Sequence, residues 1–135
     1  MLNRLTDTLA FQAQALSLRA ERQRLIASNI ANADTPGYVA RDMNFGQALK
    51  EATGSLAPHG LATSQPGHIP ATPGARAEAN LLYATPSQTN LDRNTVDMDR
   101  ERASFADNAV KYEATLRFIN SGVRTMLDAI RGQGQ

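Results

Sequence analysis

The sequence predicts a mainly α-helical protein in which long N- and C-terminal helices pair as a coiled-coil-like hairpin. Two observations carry this prediction. Apolar residues recur at alternating spacings of four and three near both ends of the chain, and proline and glycine concentrate between them. The 135 residues suffice for one domain, so we expect the helices, residues 1–33 and 97–131, to form one helical core. The Pro/Gly-rich middle is expected to be irregular, with room for short strands.

The first helix, residues 1–33, carries two apolar stripes on nearly opposite faces. One follows the four-three alternation and consists of Leu9, Ala13, Leu16, Ala20, Gln23, Ala27 and Ile30. The second apolar face recurs every seven residues and consists of Phe11, Leu18 and Leu25. A two-helix hairpin buries only one of these faces, so the other requires cover from outside the hairpin. We expect a partner protein to cover the second apolar face.

The second helix, residues 97–131, contains the longest periodic pattern in the chain. An apolar period of about 3.5 residues, held over several heptads, is typical of a coiled-coil seam. The pattern suits pairing within the chain and pairing between subunits equally well, and both alternatives stay open. The predicted assembly seam of the two helices consists of Leu9, Leu16, Ile30, Phe105, Tyr112, Leu116, Ile119, Val123, Met126 and Ile130.

The region between the helices divides into two parts. Residues 34–52 are expected to form a turn followed by an extended or short helical segment. Pro36 and Gly37 fit the two central positions of a type II turn, and Pro36 disfavours helix at the residue before it. Residues 53–96 hold five of the six prolines and four of the nine glycines, which predicts a flexible or β-containing region.

Composition excludes several classes of function. The chain has no cysteine, which rules out a disulfide framework, a thiolate nucleophile and cysteine-based metal sites. Its 14 basic and 13 acidic residues leave a net charge of +1, which argues against a nucleic-acid binder. No apolar run reaches the length of about eighteen residues needed for a membrane helix. The longest uncharged stretch near the start, from Thr8 to Leu18, contains two glutamines, runs into Arg19 and lacks the small-residue cleavage site of a secretory signal.

Enzymatic chemistry finds little support in the sequence. His59 and His68 lie in the Pro/Gly-rich region, and no nearby acidic cluster gives them metal-ligand spacing. A small hydrolase in which His68 acts as a base is one hypothesis, but no residue spacing supports it. The acidic residues from 92 to 101 lack the spacing of a calcium loop, and we interpret them as helix caps. We therefore expect no catalytic residue, cofactor, metal or small-molecule substrate.

The segment that ends the first helix is the most distinctive in the chain. Its motif residues are Ser28, Asn29, Asn32, Thr35, Pro36, Gly37 and Tyr38. Two of them, Asn29 and Asn32, stand at helical spacing, and we expect both to bond to free carbonyls at the helix end. The segment resembles the signature of bacterial flagellar rod and hook proteins. Residues 38–45, 61–69 and 94–101 resemble its proximal-rod family, flagellar basal-body rod protein B.

The resemblance implies a structural subunit of the flagellar basal-body (proximal) rod that assembles helically through its terminal helices and transmits torque. It implies four partners: other rod subunits, copies of the chain itself, the basal-body base and the flagellar type III export apparatus. It also implies export without a cleaved signal peptide and a place in the rod, in the periplasmic space. The alternative, from a different class, is a non-polymerising helical adaptor or secretion chaperone.

One position departs from the pattern of this family. Arg93 stands where the family usually has glycine in an Asp-Gly-Asn turn. Because an L-residue with a side chain seldom adopts a positive φ, the arginine argues against a tight turn of this kind just before the second helix.

Overall fold

The fold consists of two long helices with a short helix and a small sheet placed on one side. The computed structural model describes residues 2–54, 81–83 and 91–132. Its elements, in chain order, are α1 (Leu2–Ala31), β1 (Arg41–Met43), α2 (Phe45–Gly54), β2 (Leu81–Tyr83) and α3 (Met98–Gly132). The long terminal helices confirm the predicted mainly helical fold class. His59, His68 and residues 61–69 lie outside the described residues.

Helices α1 and α3 pair with each other in an antiparallel arrangement. Near the turn, the Asn29 side chain of α1 bonds to Glu101 of α3. At the far end, a Cβ atom added to Gly122 would lie 3.0 Å from Cδ2 of Leu9. Residue numbers therefore fall along α1 as they rise along α3, and pairing within the chain accounts for the hairpin.

The turn after α1 has the predicted geometry. Gly37 adopts a φ of 73°, and the Tyr38 amide donates to the Thr35 carbonyl over 3.2 Å. Both features belong to a type II turn with glycine at its third position, as the sequence predicts. The Gly37 amide then donates to the Asp92 carbonyl over 2.8 Å, which ties the turn to the segment before α3.

Strand β1 and helix α2 follow the turn, in the segment expected to be extended or helical. β1 pairs antiparallel with β2, with Arg41 opposite Tyr83 and Met43 opposite Leu81. Asn44 begins α2 as its N-cap, because its side-chain oxygen accepts the backbone amide of Gln47 over 3.2 Å.

The apolar core of the described residues lies between α1, β1 and α2. Leu18, only 3% exposed, packs in one cluster with Met43 and Ala48, and Leu25 packs against the same cluster. The expectation of a partner protein at Leu18 and Leu25 is therefore wrong, because the apolar side of α2 in the same chain covers them. Phe11, the third residue of the second apolar face, remains 42% exposed.

The turn before α3 differs from the expectation drawn from Arg93. This residue adopts a φ of 60°, so the tight turn forms without glycine. Hydrogen bonds on both sides hold the backbone there. The Asp92 carbonyl accepts the Gly37 amide, and the Asn94 amide donates to the Asp92 side chain over 3.3 Å. Tertiary contacts thus offset the strain of a left-handed arginine, about 1–2 kcal/mol.

Candidate assembly interface

The α3 residues that face α1 are polar or small and recur every seven positions. We call this set the pairing line; it consists of Glu101, Asn108, Thr115 and Gly122. The three polar members are all buried, and Asn108 is only 1% exposed. The α3 side of the contact between the two long helices is therefore polar along its centre, unlike an ordinary coiled-coil seam.

Each polar member of the pairing line bonds to a specific group of α1. The Asn108 amide nitrogen donates to the Arg19 carbonyl over 2.9 Å and to Oε1 of Gln23 over 2.5 Å. Nε of Arg19 donates to the Thr115 hydroxyl over 3.2 Å. Arg19 also places its guanidinium 4.5 Å from the ring centre of Phe45, a cation–π contact with α2.

Glu101 occupies the electrostatically least favourable position of the pairing line. Burial raises the pKa of its carboxyl group, and the nearby charge of Asp42 acts in the same direction. The hydrogen bond donated by Asn29 opposes this shift without cancelling it. The carboxylate is therefore held by one good donor in surroundings that favour its neutral form.

The apolar stripe of α3 is rotated away from the pairing line. At about 100° per residue, its centre lies roughly 60° from the line through Asn108. Tyr112, Ile119 and Met126 consequently lie at the edge of the helix pair and are half-buried. The outer members of the seam are exposed; they are Phe105, Leu116, Val123 and Ile130.

The α1 residues of the predicted assembly seam turn toward the same side. Leu9, Leu16 and Ile30 are half-buried there, while the opposite side of α1 carries Leu18 under α2. Apart from Leu9, which lies against Gly122, the predicted seam is thus not the buried contact between α1 and α3. Its two halves instead flank that contact on the side of the hairpin away from α2.

Between these two halves lies an open apolar groove. One stretch of about 390 Å³ is lined by Ala20, Gln23, Arg24, Ala27, Ala109 and Tyr112. The adjoining stretch of about 370 Å³ is lined by Ala27, Ile30, Ala31, Arg102 and Phe105. Because both stretches include Ala27, they form one continuous depression, which we call the seam groove. Its alanines leave this space open because their side chains are small, and larger side chains stand beside them.

The motif at the end of α1 fastens the helix to the rest of the chain. The side-chain amide of Asn32 donates to the Ser28 carbonyl over 2.8 Å, as the sequence predicts. Asn29 was expected to do the same, and that expectation is wrong. α1 continues through Ala31, so Asn29 points inward and bonds to both the amide and the carbonyl of Arg41. Its oxygen also accepts the Tyr38 hydroxyl over 3.2 Å.

The turn that follows α1 is held by Asn94, which sequence reasoning did not single out. Its amide nitrogen donates to the carbonyls of Asn32, Ala33 and Thr35 over 2.8–2.9 Å. Its oxygen accepts the Val96 amide over 2.8 Å. Asn94 belongs to residues 94–101, which resemble the family. Its partners lie about sixty positions earlier in the chain, however, so no local sequence pattern indicates these hydrogen bonds.

Two further findings concern metal ligands and membrane helices. Within residues 2–54, 81–83 and 91–132, no three His, Asp or Glu side chains come together as metal ligands. In the same part of the chain, no helix is both long and apolar enough to cross a membrane. Most of the side chains that line the seam groove are apolar, and Arg24 and Arg102 are its charged residues.

Comparison with known proteins places these features in a family. Residues 9–38 match the family model described as flagella basal body rod protein. The chain is 53% identical over 138 residues to the flagellar basal body rod protein FlgB of Proteus mirabilis (strain HI4320), covering 99% of this chain and 100% of the relative. It is 48% identical to the FlgB of Salmonella typhimurium (98% and 99% covered) and 44% to that of Escherichia coli K12 (97% and 98%). The chain therefore belongs to the FlgB family of flagellar basal body rod proteins.

Proposed function

We propose that this member of the FlgB family acts as a structural subunit of the flagellar basal body rod and assembles through the seam groove. The observation that carries the proposal is the asymmetry of the hairpin. On one side the chain's own α2 covers Leu18. On the other side an apolar groove is open and lined by the exposed Phe105, and the predicted seam continues beyond the groove along α3 with the exposed Val123.

The energetics favour cover of this side by a neighbouring subunit. Exposed apolar area contributes about 25 cal/mol per Å² when it is removed from water. A monomer rarely leaves a long apolar stripe open unless it is an interaction site. In this proposal α1 and α3 form one rod-core unit, the assembly seam residues are contact residues, and none of them is catalytic.

The finer parts of the role follow from the resemblance and belong to the same proposal. Neighbours in the rod are copies of this chain and other rod subunits, with the basal-body base at one end. The subunit reaches the periplasmic part of the rod through the type III export apparatus without a cleaved signal peptide. Helical stacking of stiff hairpins then suits it to transmit torque.

A pair of matched substitutions tests the proposed interface. Val123 and Val110 both lie on α3 with exposed side chains, 41% and 68% respectively, but only Val123 belongs to the predicted seam. Val123→Asp puts a charge into the proposed contact, where desolvation costs several kcal/mol. We expect it to abolish motility and recovery of the subunit in purified basal bodies, whereas Val110→Asp incorporates.

Folding and secretion serve as controls in this experiment. Both variants should show parental helicity by circular dichroism and parental amounts in the exported fraction. Normal incorporation of Val123→Asp would overturn the apolar seam, of which the groove is one stretch, as the contact surface. Parental protein that remains monomeric when mixed with other rod subunits would support the adaptor or chaperone alternative instead.

A further inference from the structure

The polar pairing line has a role that the assembly proposal does not explain. We propose that Glu101, Asn108 and Thr115 are positioning residues that fix the axial register between α1 and α3. The inference goes beyond rod assembly and does not depend on it, since it concerns contacts inside one chain. A fixed register places the two halves of the seam groove opposite each other.

The apolar residues on the groove side cannot fix this register by themselves. On α1 that side repeats Leu9, Leu16 and Ile30 among alanines, so away from the polar Gln23 a slide of one heptad exchanges one apolar residue for another. One heptad corresponds to a shift of about 10 Å along the helix axis. The shifted arrangement would present much the same apolar surface to a neighbour, with the groove walls out of step.

The polar contacts, by contrast, distinguish the two registers. In the observed register the Asn108 amide donates to Gln23 and to the Arg19 carbonyl. One heptad from Gln23 along α1 stand Leu16 and Ile30, neither of which has a side-chain acceptor. A slide would therefore take the Gln23 acceptor away from a buried amide, and it would also separate Glu101 from Asn29. Buried polar residues in coiled coils select register in this way.

The absence of cysteine allows a direct measurement in the full-length chain. Leu9→Cys with Gly122→Cys reports the observed register, because these positions are in contact. Leu16→Cys with Gly122→Cys reports a slide of one heptad. Each purified double-cysteine protein is oxidised under dilute conditions, and the intramolecular disulfide yields are compared. In the otherwise native chain we expect the first pair to exceed the second by about tenfold or more.

The pairing line is then made apolar by Glu101→Leu, Asn108→Leu and Thr115→Val together. We expect helicity to be retained and the preference for the Leu9–Gly122 pair to fall toward equality. The matched control is Asn120→Leu, an exposed residue of the same helix, which should leave the preference unchanged. Equal yields in the otherwise native chain, or a preference that survives in a helical triple variant, would overturn the proposal.

A variant with one substitution decides the case in which the triple variant loses helicity. Asn108→Leu removes the most buried member of the line and leaves Glu101 and Thr115 in place. A reduced preference with intact helicity supports the register role. An unchanged preference, or collapse of the helices in this variant as well, overturns it, since Asn108 would then serve folding rather than alignment.

Discussion

The Asn29 side-chain amide of α1 donates a buried hydrogen bond of 3.2 Å to a carboxylate oxygen of Glu101 of α3. The same amide nitrogen donates to the Arg41 carbonyl over 2.7 Å, and the amide oxygen accepts the Arg41 backbone amide over 3.0 Å. One motif side chain thus joins both long helices to the strand between them. Asn29 therefore links α1, β1 and α3 at the turn end of the hairpin.

The first prediction concerns the charge of Glu101. Because burial raises its pKa in the folded protein, the folded state binds this proton more tightly than the unfolded state does. Its contribution to stability is full below the ordinary glutamate pKa and is lost as pH rises through the folded-state pKa. Glu101→Gln keeps an oxygen that accepts from Asn29 and removes the charge. We expect a higher melting temperature than the parent near pH 7 and little difference near pH 4.

Thermal unfolding followed by circular dichroism at several pH values measures this effect. Glu113→Gln is the control, since Glu113 lies on the exposed side of α3 and pairs only with Arg117 in the described contacts. A Glu101→Gln protein that is less stable than the parent at neutral pH would show that the ionised carboxylate itself is required.

The second prediction concerns the bonds by which Asn94 holds the turn after α1. Asn94→Ala removes three hydrogen bonds to carbonyls and one from the Val96 amide, all at a buried side chain. We expect the free energy of unfolding in urea to fall by about 2–4 kcal/mol. Asn120→Ala on the exposed face of α3 should change it by less than about 0.5 kcal/mol. Equal effects of the two substitutions would mean that the hydrogen bonds of Asn94 contribute little to the free energy of unfolding.

The third prediction concerns the left-handed backbone at Arg93. Arg93→Gly stabilises the folded state because it relieves the strain of a positive φ. It also gives the unfolded chain more conformational freedom, which lowers stability and partly offsets the first effect. We expect a net stabilisation of about 0.5–1 kcal/mol. Arg100→Gly, within α3, should destabilise by a similar amount, because glycine lowers helix propensity there. Chemical denaturation of the two variants gives opposite shifts of the midpoint if the turn is as described.

The fourth prediction compares two residues of the second apolar face. Leu18→Ala opens a cavity between α1 and α2 and should cost about 2–4 kcal/mol of unfolding free energy. Phe11→Ala removes a side chain that is 42% exposed and should cost less than about half of that. Urea unfolding of the dilute protein measures both. A larger loss for Phe11→Ala would indicate that Phe11 has a covering contact.

Patterns of neighbouring residues in the sequence predicted much of this structure. The helix periods, the turn at Pro36 and Gly37 and the short extended segment depend on residues close together in the chain, and all appear where expected. The bonds of Asn29 to Arg41 and Glu101 were beyond such reasoning. They depend on the positions of β1 and α3 in the folded chain, and the residues around Asn29 in α1 give no information about those positions.

By itself, the sequence determined the helical class, the terminal helices and the flagellar rod family, since apolar period and motif are properties of consecutive residues. The tertiary structure alone decided which faces meet. The strongest apolar stripe of α3 does not form the centre of the hairpin; the polar line through Asn108 does, and α2 rather than a partner covers Leu18. Periodicity shows that a face is apolar, but the rotation of each helix about its axis depends on every contact at once. In the observed rotation the polar line of α3 forms hydrogen bonds with Arg19, Gln23 and Asn29, and most of the apolar seam lies outside the helix contact.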